Sequence, residues 1–496
     1  MIGIILAAGV GSRLRPLTNH KPKCLISTAN KCILQYQLDA YLKAKISDVV
    51  IVIGYEGEAI RAYCKHIKNP RIHFVENYDY ESTNNMYSLY LARGHFRDRG
   101  FILNNADLAI SDDIIAKMLS SGCSDLIAVD MQVYNDESMK VSINDEGFIS
   151  GISKAISEDD SLGCSIDFYK FSAKSSNILI SEMENIIESH SNVKDWTEVA
   201  MDNLFKSGGL KFHPMPIDDS RWIEIDNFDD LSLADELFSG YRNKVKNYSL
   251  YCLDLDGTIY IGNSLIDGIA SSVDNLRKDD KRVVFLSNNS SRDKEEYVVK
   301  LAGMGINCVE NDIVLSTDLT AKFLIESNCF KVFVLGTLSL KNMLAEQGII
   351  HTDVDPDFVV VGYDTELTYE KLASASQLIN SGVDFISTHC DLVCPTESGP
   401  IPDVGLIVDM LEKTTGKKVY RQFGKPMPQI IDFIGQKYGV KKEDVIVVGD
   451  RLYTDIKMAS DAGVDSILVL SGETRREHVE NTAVHPTYIL KTFYYS

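Results

Sequence analysis

Two groups of residues, far apart in the chain, have the types and spacing to handle phosphate. Near the start, Leu6, Ala7 and Ala8 lead into Gly9, Gly11, Ser12 and Arg13, with Lys23 a little further on. Glycines at 9 and 11 let backbone N–H groups crowd against an anion, and a strand–loop–helix succession aims those groups at one point. Glycines alone would mean little. Arg13 and Lys23 add cations at fixed places, where charge develops as a phosphoanhydride is cleaved. In the middle of the chain, Asp254 and Asp256 are followed by Gly257 and Thr258, which turn the backbone so that both carboxylates can face one cleft. One could attack phosphorus while the other shuttles a proton. A carboxylate is a weak nucleophile and needs a divalent cation and a fixed positive charge beside it. Downstream, Ser287 can hydrogen-bond a phosphoryl oxygen, Lys425 supplies charge, and Asp450, supported by Asp455, completes a metal site with Asp254 and Asp256.

These residues stand at the ends of apolar runs that read as strands. Ile2 to Ala7, Val49 to Ile53 and Phe101 to Leu103 alternate with helix-like stretches such as Ile33 to Ala44, the pattern of a largely parallel sheet. A second series comprises Leu250 to Leu253, Val283 to Leu286, Val332 to Leu335, Phe358 to Val361 and Val445 to Val448. The expected architecture is α/β, with two Rossmann-like three-layer domains: residues 1–240, then a core made of 249–330 and 416–496. The polar, basic stretch 241–248 reads as the linker. Residues 331–415 interrupt the second core and carry strands and helices of their own, so they are expected to form an inserted α/β cap. No internal repeat, low-complexity tract or coiled-coil heptad is visible.

At 496 residues the chain exceeds one hydrophobic core, and its length points to about three compact units. Hydrophobic and charged contents of 45% and 24% fit an ordinary globular protein and speak against disorder. A net charge of -21 repels nucleic acid and anionic membrane surfaces, so phosphate has to be attracted locally. The opening apolar run lacks a basic leader and is too short to span a bilayer, so a core strand is expected there, with no signal peptide and no membrane insertion. Ten cysteines follow no framework spacing, with Cys390 and Cys394 the only close pair, and are expected to be reduced thiols in a cytoplasm. A homo-oligomer is left open.

The run from Leu6 through Arg13, Pro16 and Thr18 to Pro22 and Lys23 resembles the nucleotidyltransferases that join a nucleoside triphosphate to a phosphorylated sugar or alcohol and release pyrophosphate. The resemblance extends over about Met1 to Phe238. Ser82 to Arg93 and Asn105-Ala106-Asp107 are most similar to the phosphocholine cytidylyltransferase branch. This implies CTP as donor, Leu6, Ala7, Ala8, Gly9, Gly11, Ser12, Asn84 and Ala106 as nucleotide contacts, and Asp107 and Asp226 as ligands of Mg²⁺. Two carboxylates brought from distant strand ends suit such a hard cation better than zinc. Choline-binding members surround a quaternary ammonium with aromatic and acidic groups. Tyr169, Trp196 and Glu198 are the candidates here, and Trp196 reads equally well as core packing. A phosphorylated polyol, a ketose such as fructose 6-phosphate, glycerol phosphate or an amino alcohol forms the broader acceptor class.

The order Asp254, Asp256, Ser287, Lys425, Asp450 resembles the haloacid dehalogenase superfamily over about Leu250 to Gly472. Leu286 to Ser290 and Gly449 to Asp455 look like its class IIA, nitrophenylphosphatase-like branch. The resemblance implies Mg²⁺-dependent hydrolysis of a small phosphate monoester through an aspartyl phosphate. It also implies a cap loop running from Thr388 through Pro395 to Gly405, with Asn288 and Asp391 as substrate contacts. His389 stands where the branch usually has Asn, and Pro402 to Gly405 replaces a more glycine-rich turn; a structurally satisfied His389 is as good a reading as a substrate contact. Together the two resemblances imply a bifunctional cytoplasmic enzyme serving surface polysaccharide precursor synthesis, an analogy between families. The alternatives are a sugar-1-phosphate transferase using UTP or dTTP, and a nucleotide sensor without turnover. A sensor should lack a catalytic residue, and Arg13, Lys23, Asp107, Asp254, Asp256, Lys425 and Asp450 are all in place.

Overall fold

Alternation along the strand Ile2–Ala7 sets the layering of the first half. Ile2, Ile4 and Leu6 pack on one face of a sheet against the helices Asn85–Leu91, Ala173–Glu184 and Thr197–Lys206; Ile5 and Ala7 pack on the other against Ile33–Lys43 and Ile114–Ser120. A strand buried on both faces is apolar throughout, as this one is. The computed structural model describes residues 1–134, 137–217, 219–394, 399–480 and 482–495, so Pro395 of the expected cap loop lies outside the described residues. Contacts divide the chain into Met1–Ser239 and Gly240–Ser496.

The first unit is built on a nine-stranded sheet. Arg71–Glu76, Asp48–Ile53, Ile2–Ala7 and Phe101–Asn105 run parallel in that order. Beyond Phe101–Asn105 the sheet continues antiparallel through Gly163–Phe171, which pairs with Leu126–Asp130 and Lys140–Ile143. The sheet is therefore mixed, against the expectation of a largely parallel one. A separate two-stranded ribbon pairs Leu108–Ile110 with Trp222–Glu224.

The second unit contains two parallel sheets. Six strands run in the order Ile313–Leu315, Arg282–Ser287, Leu250–Asp254, Val445–Gly449, Asp465–Val469 and Tyr488–Leu490. Leu250–Asp254 lies between Arg282–Ser287, which follows it in the chain, and Val445–Gly449, to which the chain returns after the insert, and this change of direction in strand order opens a crevice at the carboxyl ends of the strands. Five more run in the order Ile350–His351, Lys331–Leu335, Phe358–Val361, Asp384–Ser387 and Arg421–Gln422. This second sheet extends past residue 415, where the insert was expected to end.

Two features differ from the sequence reading. The insert does not separate as a third unit, because Val332, Val334, Val360 and Ile386 share one apolar cluster with Leu250, Val284 and Val447 of the six-stranded sheet. Residues 241–248 do not form a free linker. Tyr241–Lys244 is a helical turn, Tyr241 and Val245 are buried in the second unit's core, and the Tyr241 and Tyr251 hydroxyls donate to the carbonyls of Tyr494 and Val245. Polarity misled here, since the aromatic residues at 241 and 248 carry the packing. All ten cysteines are free thiols. Among the described residues no helix is long and apolar enough to cross a membrane.

Candidate functional site

In the first unit the loop after Ile2–Ala7 opens a cavity of about 270 Å³ lined by Leu6, Ala7, Gly9, Gly11, Ser12, Arg13, Lys23, Cys24, Ala106, Asp107 and Asp226. Gly11 takes φ 63° and caps the short turn Ser12–Leu14. A Cβ there would stand 2.9 Å from Cβ of Lys23, so glycine allows the lysine to pass beneath the loop. Asp107 follows the strand Phe101–Asn105, and Asp226 follows Trp222–Glu224. The ribbon pairing Glu224 with Leu108, extended by Ile225 N–H donating to the Asp107 carbonyl at 3.0 Å, brings the two carboxylates together across more than a hundred residues of chain.

Lys23 lies between them. Its Nζ donates to Asp107 Oδ2 at 3.0 Å and Asp226 Oδ1 at 2.8 Å, and Arg13 pairs with Asp226 Oδ2 at 3.0 Å. Burial works against the Lys23 charge, but Asp107 and Asp226 outweigh it and hold the ammonium's pKa above its ordinary value. Asp107 Oδ1 is buried and has no hydrogen-bond partner among the described residues. Glu224, which the sequence reading passed over, places a carboxylate oxygen within 4.8 Å of those of Asp107 and Asp226. Burial, and then Asp107, Asp167 and Asp226, push it up to about 9. An orphaned oxygen and three crowded carboxylates fit a hard divalent cation.

Two expected nucleotide contacts stand apart. Ala8 does not line the cavity, and its carbonyl accepts from Tyr55 N–H. Asn84 caps the helix Asn85–Leu91 and donates to the Lys194 carbonyl. Of the acceptor candidates, Tyr169 and Glu198 do meet: the Tyr169 hydroxyl lies 2.9 Å from both Glu198 Oε1 and Asp167 Oδ1. Asp167, also missed in the sequence, takes φ 54° within a bulged stretch of Gly163–Phe171 and accepts from Asn105 Nδ2 at 3.0 Å. Trp196 is 43% exposed, which removes the core-packing reading. Its ring already carries the Lys154 ammonium, 5.2 Å from the centroid.

In the second unit, Asp254 ends the strand Leu250–Asp254, Ser287 ends Arg282–Ser287, and Asp450 follows Val445–Gly449. Lys425 Nζ donates to Asp254 Oδ1 and, at 2.7 Å, to Asp455 Oδ1. Burial raises the Asp254 carboxyl while Lys425 draws it down; burial likewise opposes the Lys425 charge, and Asp254 and Asp455 more than restore it. Asp254, Asp450 and Asp455 each bring an oxygen within 4.8 Å of the others, and Asp450 Oδ1 is buried and unpartnered. Asp455 is thus a full member of the acidic group. Asp256, also expected as a metal ligand, is exposed, and its carboxylate is not among the three that converge. Extended backbone sends alternate side chains to opposite faces, but the turn at Gly257, φ 87°, breaks that rule immediately after Asp256.

Asn288 and Asp391 are tied to each other. Asn288 Nδ2 donates to Asp391 Oδ2 at 3.0 Å and to the Lys425 carbonyl at 2.9 Å, while its Oδ1 accepts from Lys425 N–H at 2.7 Å. Asn288 therefore braces the backbone of Lys425 against the loop from the insert. His389 is fully buried, with Nε2 at 3.0 Å from Asp403 Oδ1 and Nδ1 at 3.1 Å from Thr388 Oγ1, which leaves both ring nitrogens engaged. The structural reading of His389 holds.

Comparison with known proteins agrees with this division. Residues 2–135 match a nucleotidyl transferase family model, residues 251–350 a haloacid dehalogenase-like hydrolase model, and residues 422–495 a second HAD-hydrolase-like model. An acid sugar phosphatase from Staphylococcus saprophyticus is 38% identical over 250 residues, which cover 50% of this chain and 96% of that protein. The acid sugar phosphatase of Staphylococcus aureus is 38% identical over the same length, again covering 96% of that protein. Among solved structures, a 4-nitrophenylphosphatase from Thermotoga maritima is 40% identical, covers 50% of this chain and 95% of its own, and has a TM-score of 0.49. A glycerol phosphate phosphatase from Mycobacterium tuberculosis, solved in complex with magnesium, is 30% identical over 49% of this chain and 74% of its own, with a TM-score of 0.46. The chain belongs, through its C-terminal half, to the haloacid dehalogenase-like hydrolases, and carries a nucleotidyl transferase domain ahead of it.

Proposed function

We propose that the chain is a bifunctional enzyme whose first unit transfers CMP from CTP to a small phosphorylated alcohol and whose second hydrolyses a phosphate monoester. The observation that carries the first reading is Lys23 held between Asp107 and Asp226 on the wall of the glycine-loop cavity. In this reading a phosphate oxygen of the acceptor attacks the α-phosphorus of CTP, the bond to the β-phosphate oxygen breaks, and pyrophosphate leaves with that electron pair. Gly9, Gly11 and Ser12 cradle the phosphates through backbone N–H groups, and Arg13 and Lys23 neutralise the charge that develops. Mg²⁺ held by Asp107, Glu224 and Asp226 would add charge neutralisation at the transferring group. Positioning and electrostatics suffice, and no covalent enzyme intermediate is required.

In the second unit Asp254 attacks the phosphoryl group, and Asp256 gives a proton to the departing alcohol. Asp256 then takes a proton from the water that opens the aspartyl phosphate and releases inorganic phosphate. Lys425 and Ser287 stabilise the phosphoryl oxygens, and Asp254, Asp450 and Asp455 would hold Mg²⁺. Residues from Lys331 onward act as the cap, reaching the core through Asp391. The similarity to acid sugar phosphatases supports a sugar or polyol phosphate as substrate. A CDP-linked product suits cytoplasmic synthesis of surface polysaccharide precursors.

Donor choice is tested by following pyrophosphate release with CTP, UTP and dTTP against glycerol phosphate, polyol phosphates, fructose 6-phosphate, amino-alcohol phosphates and sugar 1-phosphates. Release with CTP and an alcohol phosphate is expected. Release only with UTP or dTTP and a sugar 1-phosphate would replace the cytidylyl reading, and no release with any pair would leave a nucleotide sensor.

A further inference from the structure

We propose that Lys23 and Arg13 are a resident counter-charge that keeps a divalent cation off Asp107 and Asp226 until the phosphates of a nucleotide draw both side chains away. The proposal rests on the transferase reading of the first unit and adds an order to its assembly.

The four carboxylate oxygens are unequally engaged. Asp226 has both oxygens in ion pairs, Oδ1 with Lys23 at 2.8 Å and Oδ2 with Arg13 at 3.0 Å. Asp107 Oδ2 is paired with Lys23 at 3.0 Å, which leaves Asp107 Oδ1 as the single oxygen of the two groups without a partner among the described residues. A hard cation takes several oxygens at once, so with three of the four aspartate oxygens engaged by Lys23 and Arg13, Asp107 Oδ1 and the adjoining Glu224 are a reduced foothold. An ammonium about 3 Å from the same oxygens also repels an arriving dication.

Both cations have somewhere to go. Arg13 and Lys23 line the cavity that the glycine loop encloses, where phosphate would sit against backbone N–H groups. The Arg13 side chain is 69% exposed and free to swing, and its planar fork pairs with phosphate oxygens as well as with a carboxylate. Lys23 is held at its base beneath Gly11, so its ammonium can move only by rotation within the cavity. Once both side chains have turned to phosphate, Asp107, Asp226 and the adjoining Glu224 face the cation unpaired. Nucleotide and metal are then linked ligands, each raising the other's affinity by the same factor.

The second unit is arranged differently. Lys425 also bridges two carboxylates, with Asp450 outside that bridge as Glu224 is in the first unit, but among the described residues no counterpart of Arg13 pairs with these carboxylates.

The test is binding of Mn²⁺ alone, followed by the resonance of the free ion, to full-length protein carrying Asp450→Asn to weaken metal binding in the second unit, with every Lys23 and Arg13 variant compared in that background. Lys23→Met is expected to tighten Mn²⁺ binding about tenfold or more, since removing a buried ion-pair partner leaves uncompensated carboxylates. Lys23→Arg should bind Mn²⁺ as weakly as the parent. Arg13→Gln, at an exposed side chain, should tighten binding less than Lys23→Met and serves if that variant fails to fold. Parent and Arg13→Gln proteins binding Mn²⁺ equally, or Lys23→Met gaining nothing, would overturn the proposal. Neither result touches pyrophosphate release by the parent, which tests the transferase reading separately.

Discussion

Both units seat a lysine between two aspartates, yet the surroundings of the two lysines differ. Around Lys23 the side chains of Asp107 and Asp226 are each about a quarter exposed; around Lys425 those of Asp254 and Asp455 are 11% and 1% exposed. The first pair is assembled by a two-stranded ribbon beside the main sheet, the second by the ends of neighbouring parallel strands and the turns that follow them. A partly exposed site suits displacement of a bulky, highly charged leaving group that never bonds to the protein. A buried one suits a covalent phosphoenzyme, because low dielectric strengthens the charges that stabilise it and water has to be admitted on one side only. On the proposed reading, the same trio of charges serves two chemistries according to how the backbone delivers it.

Substitutions can break this comparison one side at a time. Asp254→Asn removes the proposed nucleophile and should lower phosphate release about a thousandfold or more while pyrophosphate release continues, read in parallel assays. A variant that still releases phosphate at the parental rate would rule Asp254 out. Asp107→Ala should do the reverse, with a loss of about a hundredfold or more in pyrophosphate release and no change in phosphatase rate. Retained transfer would sink the metal assignment of Asp107.

Smaller effects sharpen the picture. A Cβ on Gly257 would stand 2.4 Å from Asp450 Oδ2 at a backbone φ of 87°, so Gly257→Ala should cost roughly 1–3 kcal/mol in stability of the second unit and weaken the phosphatase. At Gly11 the contact is with Cβ of Lys23 at 2.9 Å, a side chain that can shift, and Gly11→Ala should reduce transfer less than Gly257→Ala reduces hydrolysis. Denaturation of the two variants, with both activities measured, checks the ranking.

The smallest effect concerns Asp167, which burial first, and then Glu198, push up to about 7. Between about 4, where a free carboxyl titrates, and that value, the folded first unit holds a proton that the unfolded chain lacks. Stability should therefore fall as pH rises through this window, and Asp167→Asn should flatten the fall in metal-free protein. An unchanged slope in the variant would place the proton elsewhere.

Much of the site could be read in the chain because it follows local rules. Ile2–Ala7 is an apolar strand ending at the loop that carries Gly9, Leu250–Asp254 is one that ends on Asp254 itself, and the cations Arg13 and Lys23 lie close by in sequence. What escaped depends on distant pairing or on backbone that departs from its period. Glu224 ends an extended strand two residues before Asp226, a spacing that puts both on one side, but only the ribbon with Leu108–Ile110 shows that this side faces Asp107 and adds Glu224 to the group. Asp167 hides within an apolar strand, because a bulge and a positive φ turn it out of register. Tyr241 and Tyr248 looked like part of a polar linker because their basic neighbours dominate the composition, whereas burial is decided by the rings.

The most direct test incubates the parent protein with CTP, Mg²⁺ and each candidate phosphorylated alcohol, and follows the phosphorus resonances of diester, pyrophosphate and free phosphate in one tube. A CDP-linked diester with one acceptor, lost in Asp107→Ala and kept in Asp254→Asn, together with free phosphate showing the opposite dependence, is the expected result. Free phosphate without any diester, whatever the acceptor, would contradict the assignment of two working catalytic sites.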